Sequence, residues 1–360
     1  MRVAVIGGGI AGLSAAARLA PDAKVTVFEA EAHLGYHTSG RSAAMYEENY
    51  GNAAVRALNR ASKDWFETSG VLSPRGIMLV ALEAEIPLFE TDLTDMGMEE
   101  LSLAEARARV PILSPSILRA AIHEGASDID TGRVLDLFAR SVTEAGGRIV
   151  KSAEVVGLSR REGGWQVETR EGLAGFDVVV NAAGAWADRV AALAGVQQLG
   201  LKPYRRSMAR LPAPGGHDVR DWPMLFGPGE SWYAKPDAGG WIVSPAEEDP
   251  SEPMDAWADD MVLAEGLARY EAHVTEPVTR VQSNWAGLRT FAPDRTLVIG
   301  ADPVAEGFFW MAGQGGYGFQ TAPAASRLLA DTVLGLNPKL PDSVLEALSP
   351  ARFGQAKSGV

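Results

Sequence analysis

Three glycines, Gly7, Gly9 and Gly12, follow the apolar run "VAVI" at the spacing G-x-G-x-x-G, and Glu29 stands 22 positions after the first of them. Each position has a physical reason. Gly7 permits a tight turn, Gly9 lets backbone N–H groups approach a pyrophosphate, and Gly12 lets a helix lie close on its strand. The carboxylate of Glu29 is suited to accept hydrogen bonds from the ribose hydroxyls of an adenosine. The chemistry predicted is binding of an adenine dinucleotide. An ordinary glycine-rich turn is the plainer reading of the glycines alone; the strand, helix, second strand and acid around them favour the nucleotide.

A second set of residues carries a different chemistry. Arginine grips a carboxylate through two parallel charge-assisted hydrogen bonds. In "PYRRSMARL" the two-residue period of a strand sets Tyr204, Arg206 and Met208 on one face, and in "SWYAKP" it does the same for Ser231, Tyr233 and Lys235. One sheet face can therefore present an arginine and a tyrosine together, to hold a substrate carboxylate. Singly, such an arginine is more often a solvated charge and such a tyrosine a packed core residue.

Composition narrows the field. The 360 residues are 46% hydrophobic, enough for more than one core, so two domains or one interleaved pair are expected. The absence of cysteine excludes disulfides, thiolate metal sites, thiol nucleophiles and a flavin tethered through sulfur. Redox chemistry would need a borrowed cofactor, and no metal site is expected. A net charge of −13 repels nucleic acid and anionic lipid and favours a small-molecule partner. No apolar run reaches the roughly 18 residues of a membrane helix. The opening run shows no cleavable signal pattern, and a soluble cytoplasmic protein is expected.

The elements that position these residues are legible in outline. "VAVI" has the character of a central parallel strand buried on both faces, "LSAAARLA" of a closely packed helix, and "KVTVFEA" of the next strand. "IMLVAL" is a strand candidate. Ser102 and Glu105 form a capping-box pattern ahead of a helix that stops before Pro111. Val134, Leu137, Phe138 and Val142 share one face of a helix closed by glycines. Residues 196–285 are strand-rich, with proline, glycine and aspartate clusters between, as in an antiparallel sheet.

After Glu29 the hydroxyl-rich "GYHTSGRSAA" stands where a nicotinamide fold would usually run on to a third strand. That segment, with "DVVVNAAGAWAD", "NWAGLRTFAPDRTLVIG" and "GFFWMAGQGGYGFQTAPAASRLLA", resembles the D-amino-acid oxidase superfamily of FAD enzymes. Within it the chain is most similar to D-amino-acid dehydrogenases of the D-arginine dehydrogenase type. The resemblance implies an α/β fold in which a Rossmann-like FAD-binding domain is interleaved with an antiparallel-sheet substrate domain of α+β character. Residues 1–48, 132–195 and 286–345 would form the first, residues 49–131 and 196–285 the second, and residues 346–360 a C-terminal tail. FAD is expected to be bound non-covalently. Beside Gly7, Gly9, Gly12 and Glu29, its neighbours would be Ile10, Ala11 and Ala30. Ser39, Gly40, Arg41, Ser42, Ala43 and Ala44 would line the pyrophosphate and the ring edge. Val155, at the end of a short strand, and Ala183 and Gly184 would meet it from the middle of the chain. Gly315, Gly316, Tyr317, Gly318, Phe319 and Gln320 would bring the last helix toward the ring. His37 is assigned a hydrogen-bonding role in preference to a covalent tether.

By the same resemblance Arg206 and Arg289 match the positions that clamp a substrate carboxylate, Tyr50 and Tyr233 offer phenolic hydrogen bonds, and the Gly316 carbonyl and Gln320 match the region that receives the amine. Relatives that prefer cationic D-amino acids carry an acid where this chain has Ile77 and a histidine where it has Met45, whereas Glu47 adds negative charge nearby. An apolar or broad D-amino acid is therefore the expected substrate, with a cationic one as the minority reading. Oxidative deamination would give an imino acid, then a keto acid and ammonia, with a quinone, a dye or oxygen as electron acceptor. Two alternatives stand beside it: an oxidase or dehydrogenase of glycine, sarcosine or another secondary amino acid, and a non-catalytic binding protein on the same fold. Oligomeric state is left open.

Overall fold

Strand Arg2–Ile6, all but its first residue buried, runs through the middle of a six-stranded sheet. Residues 298–301, 308–312, 178–181, 2–6, 24–28 and 148–150 follow one another across it, parallel except for the edge strand Val298–Ala301. The structure, a computed structural model, describes residues 1–354. One face of the sheet is covered by helices Ile10–Leu19, Thr131–Glu144 and Gly318–Val333, whose Leu13, Leu19, Val134, Phe138 and Leu329 join a common core. Ala11, Ala15, Ala16 and Ala17 keep the first helix slim, so that its neighbours close on every side. The other face is covered by an antiparallel sheet of residues 155–161, 164–169 and 172–176, which packs Leu158, Trp165 and Phe176 against Ala4, Ile6 and Phe28.

A second, larger sheet takes its strands from residues 77–123 and 202–291. Its pairings are antiparallel apart from Met224–Phe226 beside Ile77–Ala81. Strand Ser283–Phe291 pairs with residues 202–210 of strand Lys202–Leu211. One face of this sheet buries Ala209, Trp241, Val243 and Leu225. The opposite face, with Ile77, Leu79, Met208, Phe226 and Tyr233, forms a separate core.

Three expectations are corrected. The pairing of Ser283–Phe291 puts residues 286–291 in the large sheet, not in the nucleotide part assigned to 286–345. Val155 opens strand Val155–Arg161; the short strand before it is Arg148–Val150. Residues expected to begin a tail at 346 lie in helix Asp342–Leu348 and the turn Pro350–Phe353, with Leu348 fully buried against the helical core. The rest of that expectation, residues 355–360, lies outside the described residues. Among the described residues no helix is long and apolar enough to cross a membrane.

Candidate active site

Three cavities meet end to end. The first, about 660 Å³, is lined by Gly7, Gly8, Gly9, Glu29, Ala30, His37, Val155, Ala183 and Trp186. The second, about 150 Å³, shares Gly9, Ser39 and Gly184 with it and adds Ile10, Ala11, Arg41, Ser42, Ala43, Gly315, Gly318 and Phe319. The third, about 110 Å³, shares Ala44, Met45, Tyr233, Arg289, Gly316 and Gln320 with the second and ends at Glu47, Tyr50, Ile77, Met96, Met224, Phe226 and Glu230. Of the sequence-predicted residues, Gly12, Gly40 and Tyr317 line none of the three. Gly12 acts from beneath, Gly40 donates its N–H to the Gly35 carbonyl at 2.6 Å, and the Tyr317 ring packs 5.2 Å from that of Tyr50.

The glycine turn is dictated by excluded volume. Gly7 has φ +110°, and a Cβ there would stand 2.4 Å from the Ala182 carbonyl oxygen. A Cβ on Gly12 would stand 1.8 Å from the Gly7 carbonyl oxygen. At Gly9 the only near neighbour is Ser39 Oγ at 3.1 Å, so a side chain there would grow into the cavity instead. Glu29, nearly buried, accepts from the Gly8 N–H at 2.7 Å and from the Glu31 N–H at 2.8 Å, bracing the turn while each oxygen keeps a lone pair for another donor. His37 Nε2 is held by Glu31 at 3.0 Å. The Arg41 guanidinium is turned away from the cleft, onto Asp255 and the Ala256 and Ala286 carbonyls, so it anchors the 38–41 segment and contributes only its backbone and stem to the lining.

The middle cavity carries orphaned polar atoms. Arg206 Nη1, Thr290 Oγ1, both amide atoms of Gln314 and Gln320 Nε2 are buried without a hydrogen-bond partner, and all five belong to residues lining this one cavity. Helix Gly318–Val333 opens onto it with no side chain capping its first turn. Buried groups left in this state call for ordered water or a ligand. A polar-edged ring reaching from the glycine turn to the last helix meets that need, so the residues fit a dinucleotide with a heteroaromatic head.

Strand register builds the chamber beyond. Tyr204 pairs with Arg289 and Arg206 with Gly287, so the two arginines rise from diagonal positions on one face. Gly287 has no side chain to fend off the 38–41 segment, whose Thr38 hydroxyl donates to the Leu288 carbonyl at 2.8 Å. The Tyr233 hydroxyl reaches Met208 Sδ on the same face at 3.3 Å. The Arg289 guanidinium lies on Gly316, where a Cβ would come within 3.0 Å of Arg289 Cζ. Burial by itself would lower the Arg289 pKa; Tyr50, Tyr233 and Glu230 around it outweigh that and raise it. Burial, and next the Glu230 charge, push the Tyr50 phenol well above its ordinary value, so it remains a donor. Arg206 is partly committed: Nε donates to the Glu247 carbonyl at 2.9 Å and Nη2 pairs with Glu248 at 3.4 Å, leaving Nη1.

The Gln320 oxygen accepts the Glu47 N–H at 3.2 Å and keeps a second lone pair, while its Nε2 is a buried donor without a partner. Among the described residues no donor takes the Gly316 carbonyl, which stays open to an amine's hydrogen. Glu47 is buried and bound to His123 Nδ1 at 2.5 Å, and this hydrogen bond raises the His123 pKa. Its charge is therefore already partnered. The sequence reading missed His123, Gln314, Thr38 and Glu230; only Thr38, next to the "SGR" motif, offered a signal.

The family model for FAD dependent oxidoreductases, DAO, matches residues 2–332. FAD-dependent oxidoreductase domain-containing protein 1 of Xenopus laevis is 28% identical over 44% of this chain, a match that spans only 34% of that relative's length. Glycine oxidase of Pseudomonas putida is 24% identical, with 94% of this chain and 95% of the relative covered. The crystal structure of glycine oxidase from Geobacillus kaustophilus superposes with a TM-score of 0.83 at 22% identity, over 97% of this chain and 99% of that one. Since the family match takes in the glycine turn, the orphan-lined cavity and the Arg289 strand alike, the chain belongs to the DAO family of FAD dependent oxidoreductases, and FAD is its cofactor.

Proposed function

We propose that the protein oxidises α-amino acids at the carbon that carries the amine, with D-amino acids of apolar or varied side chain as its substrates. The observation that carries this reading is the convergence of Arg289, Tyr50 and Tyr233 on one chamber, with the free Nη1 of Arg206 in the cavity that joins it; Met45, Ile77, Met96, Met224 and Phe226 give the chamber an apolar side, and Glu47 and Glu230 line it as well. When bound, FAD supplies the two-electron acceptor. Arg289 holds the substrate carboxylate, helped by the two phenols, and the Gly316 carbonyl takes a hydrogen of the amine. Those anchors fix the carbon between them and convert an encounter into an oriented reaction. The carbon gives up a hydride and the nitrogen a proton; water then converts the imino acid to a keto acid and ammonia. With Glu47 tied to His123 and Ile77 apolar, the carboxylate left to meet a cationic side chain is that of Glu230, already drawn to Arg206 and Arg289, so burying a cation there is costly.

The D preference rests on the motif resemblance to D-arginine dehydrogenase-type enzymes. A second reading, oxidation of glycine or a secondary amino acid such as sarcosine, uses the same anchors and draws support from the near-complete coverage of relatives named glycine oxidase. Anaerobic mixing of the yellow holoprotein with D- and L-amino acids, glycine and sarcosine separates the two. Bleaching by apolar D-amino acids is expected; bleaching by glycine and sarcosine alone selects the second reading, and none with any amino acid overturns both. Admitting air afterwards tells oxygen from a quinone or dye as acceptor.

A further inference from the structure

A carboxylate of the protein itself stands at the clamp. Glu230 ends the turn Pro228–Glu230, ahead of strand Tyr233–Asp237, and lines the chamber. Its Oε2 lies 3.9 Å from Arg206 Nη1, the one nitrogen of that guanidinium without a hydrogen-bond partner, and 4.0 Å from Arg289 Nη1. The buried Tyr50 phenol lines the same chamber, and the Glu230 charge is among the causes that raise its pKa. Both arginines assigned to a substrate carboxylate therefore face Glu230 in the substrate-free protein.

The distances and the backbone are both unusual. At about 4 Å the arginines attract the carboxylate without the short parallel hydrogen bonds that a settled arginine–carboxylate pair makes. Gly229 and Glu230 have φ of +65° and +53°, the left-handed region that a side-chain-bearing residue seldom adopts. The Glu230 side chain is 44% exposed, so water is open to it on the far side. It is a counter-ion held loosely, on a surface turn. A second carboxylate brought into contact with Arg289 would face Glu230 across a few ångströms, and two like charges so close in a partly dry chamber repel.

We propose that Glu230 is a competing counter-ion of the clamp: its carboxylate stands in the field of Arg206 and Arg289 beside Tyr50 before substrate arrives, and the incoming substrate carboxylate displaces it toward solvent. The proposal rests on the reading of the two arginines as the carboxylate clamp. Binding strength then equals the grip of the clamp less the cost of moving Glu230 aside, so discrimination between anionic and neutral ligands depends on this residue.

Calorimetric titration of the holoprotein with propionate and with propionamide tests it, because the two differ in charge and little in shape. Glu230→Gln keeps the shape and removes the charge; propionate is expected to bind about tenfold tighter, with propionamide unchanged. Glu230→Gly suits the left-handed backbone and should tighten propionate in the same direction, so the result does not depend on one variant folding. Unchanged or weaker propionate binding in both variants overturns the proposal, as does equal tightening of propionamide, which would signal a general opening of the chamber. Arg289→Ala separates this from the underlying reading. If it leaves propionate binding intact, the clamp itself is wrong. If it abolishes propionate binding while the Glu230 variants tighten nothing, the clamp stands and only the role of Glu230 falls.

Discussion

The two ends of the cleft are built by different forces. Around Gly7 and Gly12 the decisive contacts are between backbone atoms of neighbouring segments, and a single added methyl would strike a carbonyl oxygen. Around Arg289 the decisive contacts are between charges and phenols brought from four separate stretches of chain, with Nη1 of Arg206 still short of a hydrogen-bond partner. The nucleotide end is specified by shape, the chamber by electrostatics and register. A shape-specified site should fail wholly when one atom is added, whereas a charge-specified site should lose its chemistry and keep its architecture.

Gly12→Ala probes the first half of that contrast and should have the largest effect. Its Cβ would have to fit 1.8 Å from the Gly7 oxygen, so strand and helix must part, at a cost of about 3 kcal/mol or more. Protein isolated without yellow colour, or no folded protein, is expected; a full complement of FAD after gel filtration would break the shape argument. Arg289→Ala probes the second half. FAD content should stay at the wild-type level while kcat/KM falls about a thousandfold, or about 4 kcal/mol of transition-state binding. Unaltered steady-state kinetics would remove Arg289 from the clamp.

The smallest effect sharpens the comparison within the chamber. The hydrogen bond from Glu47 raises the His123 pKa above 6.5 in the folded protein, so the pair stabilises fully below 6.5 and its contribution is lost as pH rises through the raised value. The difference in melting temperature between the wild type and Glu47→Gln should therefore be widest on the acid side of 6.5 and shrink at higher pH. A gap that does not vary with pH would show that His123 is not the partner that matters.

The same contrast explains what the sequence disclosed. Gly7, Gly12 and Glu29 sit within one strand–helix–strand unit, so spacing alone carries their geometry. The Ser102–Glu105 capping box and the buried face of Thr131–Glu144 are likewise local and appear as read. The face shared by Arg206 and Tyr233 was legible from strand alternation, but the diagonal placement of Arg289 needs the pairing of two strands some eighty residues apart, which no local pattern records. Glu230 had no signature at all: an acid in a proline-glycine turn reads as solvated, and only the folded chain shows what it faces. The orientation of the Gln320 amide was likewise illegible, because the Glu47 N–H that its oxygen accepts comes from the other end of the sequence.

Strand Ser283–Phe291 deserves a last consequence. It is stitched to the 38–41 segment through Thr38 and Arg41 on one edge and to Lys202–Leu211 on the other, with Arg289 in between. Because side chains alternate, an indel of a single residue between Ala286 and Arg289 would turn the guanidinium to the back of the sheet while leaving both seams able to re-form one step along. This stretch is thereby locked to the parity of its residue count.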